Sequence, residues 1–245
     1  IVPESKETNV ILDLTDDANI VIPQDSSNIT ISGVGAVKVA PLEADSTSIT
    51  INKVTPQKSG IIFESDKSNI DVNQVQVFGQ TSLKGKTGEN HKIKCNEVLL
   101  ESGSNLLAES VTLNKVKIGI LSVLRLDTSD VTFDEKSELQ VFYNRSLGDG
   151  VQHFPIRINN AYPNFENARI KIVSYAVNQL LPTEEEELPI ARFENTDPSE
   201  LKNKCNELRK HLDGGSGFAG SGECINATTD EVNAYNLVTK KQEKK

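Results

Sequence analysis

The sequence predicts an all-β protein: a parallel β-helix, or β-solenoid, with coils of about 20 residues, plus a short C-terminal helix and a disulfide loop. Three observations carry that expectation. A six-residue phrase recurs along the first half of the chain. Its fourth residue is always small and polar. A helix-like stretch holding one cysteine follows the last strand-like segment, with another cysteine beyond it.

Four copies of the phrase carry asparagine at the same place: Ile49 to Val54 with Asn52, Ile70 to Val75 with Asn73, Ile93 to Val98 with Asn96, and Val111 to Val116 with Asn114. Weaker copies begin at Val10, Ile29 and Val131, so the starts at 10, 29, 49, 70, 93, 111 and 131 step by 19, 20, 21, 23, 18 and 20. The first and third residues are apolar in every copy, and the residue between them is usually polar. That alternation has the period of a strand with one buried face. The apolar residues are mostly β-branched, which suits a pleated, half-buried surface.

Asp13, Ser32, Asn52, Asn73, Asn96, Asn114 and Asp134 fill the fourth position. Asn and Asp tolerate the left-handed backbone of a tight bend, so a bend is expected there. A second short strand follows, with inward pairs Val75 and Val77, Val98 and Leu100, Val116 and Ile118. A third apolar cluster comes next: Ile61 to Phe63, Leu83, Leu106 to Leu107, and Leu124 with Leu126. Stacking such coils pairs parallel strands about 4.8 Å apart. Asn52, Asn73, Asn96 and Asn114 then lie over one another, where their amides form a ladder of the kind seen in stacked sheets. A structural role is therefore expected for these asparagines rather than a ligand role.

The spread of coil lengths is looser than a left-handed hexapeptide rhythm and favours a right-handed coil. On this architecture and the asparagine bend, residues 8–145 resemble the right-handed parallel β-helix class, which includes pectin-lyase-like folds and many surface adhesins. The resemblance implies a fold and carries no diagnostic signature of activity.

Beyond residue 137 the phrase fades. Leu139 to Phe142 still reads as a strand, Ile156 to Asn159 and Ile170 to Val173 as further coils, and Leu188 to Phe193 as a last strand. The acidic segment 182–187 reads as a solvated turn. Asp197 and Pro198 supply a helix start. Leu201, Cys205, Leu208 and Leu212 then follow on one helical face, and Gly214-Gly215 ends the helix. Such a helix serves to cover the open end of a stack, since an uncovered strand edge invites aggregation. The expected organisation is a solenoid domain over 1–195, a helical disulfide cap over 196–239 and a disordered tail over 240–245.

Three cysteines are present. Cys95 occupies the third position of a phrase and should face the core as a small apolar residue. Cys205 and Cys224 remain as a disulfide pair closing a Gly-rich loop. The run from Asp213 to Gly222 within that loop has the composition of a flexible linker. Sequons at Asn28, Asn144 and Asn226 add to an expectation of an extracellular or cell-surface glycoprotein. Lys and Arg number 26 against 35 Asp and Glu, a net charge of −9, which argues against nucleic acid as a partner. No apolar run has the length of a membrane span. Residue 1 is Ile, so a mature or excised fragment is expected, with any signal segment or anchor outside it.

Some parallel β-helices cleave acidic polysaccharides. Polygalacturonase-like enzymes carry, in order, an Asn-Thr-Asp element, paired Asp, Gly-His-Gly and Arg-Ile-Lys. Here Arg169-Ile-Lys171 precedes Asn195-Thr-Asp197, and Gly-His-Gly is missing. Outward acids on the repeated strand are nearly confined to Asp71, whereas glycoside hydrolysis needs two facing carboxylates. Metal-ligand spacings of Cys and His are missing as well, so no metal and no cofactor is expected. The outward threonines Thr30, Thr50, Thr112 and Thr132 read as ordinary strand residues. The expectation is a non-enzymatic adhesive or structural ectodomain whose partners are glycans or other surface and matrix proteins. The alternative is a carbohydrate-binding or polysaccharide-cleaving β-helix using the loops around Tyr143, His153, Phe154, Tyr162 and Phe165.

Overall fold

A computed structural model describes residues 10–14, 18–22, 29–33, 37–41, 48–56, 60–63, 69–85, 93–143, 153–159, 162–174, 187–195, 197–215 and 218–241. Their elements in chain order begin with β1 (Val10–Leu14), β2 (Ala18–Ile22), β3 (Ile29–Gly33), β4 (Val37–Pro41), β5 (Ser48–Pro56) and β6 (Ile61–Phe63). Next come β7 (Asn69–Val77), β8 (Gln80–Gly85), β9 (Ile93–Leu100), β10 (Asn105–Glu109), β11 (Thr112–Ile118), β12 (Val123–Leu126) and β13 (Thr132–Tyr143). The chain continues through β14 (Ile156–Asn159), β15 (Ala168–Ser174), β16 (Leu188–Asn195) and α1 (Pro198–Arg209). It ends with β17 (Leu212–Gly214), β18 (Phe218–Asn226) and β19 (Asn233–Lys241).

The strands are mostly parallel and fall into two sheets. Every odd-numbered strand from β1 to β17 joins the first sheet, in sequence order. The even-numbered strands from β2 to β16 join the second sheet, which β19 and β18 extend at one edge. The phrase and the short strand after it thus form one long strand of the first sheet, and the third apolar cluster forms the second sheet. Inward residues of both sheets make one continuous apolar core, from Ile70 and Leu83 to Phe193 and Leu237.

The burial pattern explains why the long strands pause at asparagine. In β7, Ile70, Val72, Val75 and Val77 are buried, while Asn73 and Gln74 both face outward. The same step recurs in β9 around Asn96 and Glu97, and in β11 around Asn114 and Lys115. A strict period of two would bury one residue of each pair, so the strand slips phase by one residue there. The ladder skips the same place: Val72 pairs with Cys95 and Gln74 with Glu97, then Cys95 with Leu113 and Glu97 with Lys115. The expected left-handed bend is corrected. Among the described non-glycine residues, positive φ occurs at Ser110, Leu121 and Lys136, not at the asparagines.

Two further registers differ from the phrase alignment. β3 meets β5 with Ile31 opposite Val54, so the step there is 23 residues rather than the 20 given by phrase starts. In β13 the register jumps between the Leu113–Phe133 pair and the Lys115–Glu138 pair. The extra residues around Lys136 (φ 62°) bulge outward. Ser137 returns to the core, with its hydroxyl donating to Leu113 O at 2.9 Å and Asp134 O at 2.7 Å.

The C-terminal part holds more strand than its sequence suggests. α1 starts as expected, with Asp197 Oδ1 accepting from Ser199 N at 2.9 Å and Pro198 in the first turn. Leu201, Cys205 and Leu208 are buried on one face. The helix ends at a Lys210 cap rather than at Gly214-Gly215, and Leu212 belongs to β17. The Gly-rich run is not a linker, because β17 and the first half of β18 take up most of it. A Cβ on Gly222 would stand 2.6 Å from Val238 O, so the absence of side chains lets β18 close against β19. Lys240 and Lys241 end β19 instead of opening a tail, and residues 242–245 lie outside the described set.

β16, β19 and β18 pair antiparallel, and α1 packs against all three. Cys205 of α1 is bonded to Cys224 of β18, with Cα atoms 6.0 Å apart, while Cys95 is free and buried. The bond ties the helix to the outermost strand of the second sheet. Closing a loop of 19 residues removes denatured-state entropy worth about 2–4 kcal/mol. Replacing both cysteines by alanine is expected to lower unfolding free energy by that amount in urea titration, with the far-ultraviolet β signal retained below the transition.

Candidate functional site

The outer face of the first sheet carries the repeated asparagines and most of its charges. Asn96 Nδ2 donates to Asn73 Oδ1 at 3.3 Å, one rung of the expected ladder. Asn114 stands in the next register place, but among the described residues no side-chain bond joins it to Asn96. The side chain of Asn52 lies outside the described set.

Around that row, polar groups pair with the neighbouring strands. Gln74 Nε2 donates to Glu97 at 3.1 Å, and the Thr112 and Thr132 hydroxyls meet at 2.8 Å. Lys117 pairs with Glu97 at 2.7 Å, Lys171 with Glu138 at 2.6 Å, and Lys94 reaches across β11 to Asp134 at 2.5 Å. These contacts hold the carboxyls ionised. Lys117, then Gln74, lowers the pKa of Glu97; Lys94 lowers that of Asp134; Lys171, then Gln140, lowers that of Glu138. Asp197 is lowered too, by the Ser199 hydroxyl and backbone at the helix cap. Among the described residues the carboxyls with a shift, Glu97, Asp134, Glu138 and Asp197, move down, whereas a general acid in glycoside cleavage needs one moved up.

The expected aromatic site is divided by the fold. Phe154 is 3% exposed, with the Arg192 guanidinium 6.0 Å from its ring centre. Phe165 is 7% exposed and stacks on Phe133 at 5.2 Å. Neither ring offers a face to a sugar. Tyr143 and Tyr162 are partly buried against the core, and Lys204 of α1 sits 5.7 Å from the Tyr162 ring centre. His153 is half-buried, with Nε2 2.9 Å from Ser122 O. A carbonyl only accepts, so Nε2 carries the proton. Burial depresses the His153 pKa, and the nearby Arg157 charge adds to that.

Sequence reasoning missed two features. Buried Ser104 and Ser122 both donate to Glu101 O, at 2.5 and 2.6 Å, satisfying a corner between the sheets. Their signal was a serine just before the third cluster in consecutive coils. The second feature is a row of arginines on the outer face of the second sheet. Arg125 of β12 lies opposite Arg157 of β14, and Arg157 opposite Arg192 of β16. Two residues after each arginine stand Asp127, just beyond β12, Asn159 and Glu194.

Burial pushes the Cys95 thiol up to about 12, which leaves it an inert core residue rather than a nucleophile. Of the sequons, Asn226 is exposed at the end of β18, with Oδ1 accepting from Thr228 N at 2.9 Å. Asn28 and Asn144 lie outside the described residues. Among the described residues no group of three or more His, Cys, Asp or Glu is placed to hold a metal ion, and no helix is long and apolar enough to cross a membrane. Comparison with family models, with curated proteins and with solved structures finds no match.

The depressed pKa of His153 sets a pH dependence. A histidine whose folded pKa lies below its unfolded value, about 6.5, contributes stability that is complete above that value and is lost as pH falls through the folded pKa. His211 is depressed in the same direction, first by burial. Glu97, Asp134 and Glu138 lose their contribution lower, below their unfolded values of about 4. The Tm difference between the wild type and a His153→Gln/His211→Gln variant should be constant above pH 7. Between pH 6.5 and 5 the wild type should lose ground to the variant. Thermal melts read by circular dichroism check this; a wild type that gains on the variant in that window would contradict it.

Proposed function

We propose that this chain is a non-enzymatic extracellular or cell-surface β-solenoid serving as an adhesive or structural ectodomain. We read the two parallel sheets as faces of a solenoid whose coils run from about 20 residues to 32 and 35 between β12, β14 and β16, similar to the right-handed parallel β-helix class of surface-adhesin type. One observation carries the reading most. On the outer face of the first sheet, polar side chains are spent on one another across neighbouring strands. Such pairing stiffens a stack and leaves the carboxylates engaged, rather than converging on an open position where a substrate would react. Cross-strand pairs of this kind each contribute about 0.2–1 kcal/mol, and they repeat along the sheet.

The Cys205–Cys224 bond suits an oxidising compartment. Asn226, exposed in its sequon, suits glycosylation on the secretory route. The antiparallel β18–β19 extension and α1 suit a protective end for a stacked rod, because they cover the β16 edge with an antiparallel hairpin packed under a helix. Buried Phe154 and Phe165 weigh against a sugar-stacking or sugar-cleaving groove at that end.

The purified chain should be retained on an array of glycans and matrix proteins by a restricted set of them, and should release no reducing ends from the glycans it meets. Release of reducing ends from any acidic glycan would sink the non-enzymatic reading. Uniform failure of retention would sink the adhesive one.

A further inference from the structure

Three guanidinium groups stacked on adjacent parallel strands repel one another, because the strands lie about 4.8 Å apart. Two of the three are neutralised on their own strand. Arg125 donates to Asp127 at 2.7 Å, and Arg192 is paired with Glu194. Arg192 is fixed further by Asn236 Oδ1 at 3.5 Å and by the ring of Phe154. The central one, Arg157, is different. Its own strand offers Asn159 where its neighbours have a carboxylate. Arg157 is exposed, and among the described residues it has no ion-pair or hydrogen-bond partner.

We propose that the outer face of the second sheet at Arg157 is a binding site for the single carboxylate of an acidic sugar. The guanidinium fork fits a planar carboxylate with two parallel bonds. Because its neighbours are already neutralised, the row presents, among the described residues, one uncompensated charge. It therefore suits a monoanionic group rather than a polyanion, whose capture needs clustered free cations. Strands β12 and β16 on either side fix the β14 backbone that carries Arg157. Asn159 beside it keeps its Oδ1 buried and without a hydrogen-bond partner, so it brings no charge that competes for the guanidinium. The choice of a sugar as carrier of the carboxylate rests on the adhesive reading above; the carboxylate site itself rests on the arginine row.

The test uses the full chain on immobilised glycans. A sialyl-terminated oligosaccharide, which carries one carboxylate, is compared with its methyl ester, its desialylated form, a heavily sulfated polymer and oligoglutamate. The acid form should be retained and its ester should not. Arg157→Gln should weaken retention about tenfold or more, as loss of charged hydrogen bonds does. Arg157→Lys should recover only part of it, and Arg169→Gln, on the other sheet, should leave it unchanged. Arg157→Gln should melt at or above the wild-type temperature, since it relieves repulsion; a merely structural Arg157 would give a lower one. The proposal is overturned if the ester binds as well as the acid, if Arg157→Gln binds like the wild type, if no sialylated glycan is retained, or if oligoglutamate alone shows Arg157-dependent binding. Arg157-dependent binding accompanied by release of reducing ends supports this site and contradicts the non-enzymatic reading. Retention of glycans that ignores Arg157 does the reverse.

Discussion

Among the described residues, inward side chains of one strand rest on those of the strands beside it, and that stacking sets the register of both sheets. Val75, Val98, Val116 and Leu139 occupy one such row in consecutive strands of the first sheet. Each fully buried aliphatic side chain is worth about 1.5–3 kcal/mol against exposure. A slip of one residue would turn a whole strand's apolar set to water. The paired asparagine and outward neighbour absorb the one phase change that the chain needs within a strand. They let two inward pairs share one long strand without burying a polar residue between them.

The outer faces follow from the same stacking. Parallel strands in register bring like positions together, so a repeated charge would meet itself. The first sheet avoids this by alternating sign and by inserting neutral partners, as in Gln74 beside Glu97 and Thr112 beside Thr132. The second sheet does not avoid it at Arg125, Arg157 and Arg192, and compensates two of the three from their own strands. A structural ladder and a candidate binding position are therefore products of one geometry, separated by whether Asn or a carboxylate stands two residues along the strand.

Much of the core was legible in the sequence because inward positions repeat with local spacing. The pairs Val75 and Val77, Val98 and Leu100, and Val116 and Ile118 are buried as expected, and so is Cys95. The Cys205–Cys224 bond followed once Cys95 was assigned to the core. Legibility failed where insertions decouple sequence spacing from register. Lys136 and its neighbours shift β13 by three residues, and the arginines of the second sheet lie 32 and 35 residues apart, outside any coil-length period. The burial of Phe154 and Phe165 was not legible because composition cannot tell a ring that fills a core from one that faces solvent. Phe133 sits at an inward phrase position and supplies the surface on which Phe165 stacks. The Gly-rich run was misread for a related reason: glycine signals freedom in an open chain, but at Gly222 it permits close backbone approach in a packed strand.

The central claim is parallel stacking of the long strands with the phase step at asparagine. Methyl-resolved nuclear Overhauser contacts among Val75, Val98 and Val116 test it most directly. The expected result is strong contacts from Val75 to Val98 and from Val98 to Val116, with Val75 to Val116 far weaker, since β9 lies between β7 and β11. Strong contacts from Val98 to residues near the opposite ends of β7 and β11, as antiparallel or shifted strands would give, would contradict the account.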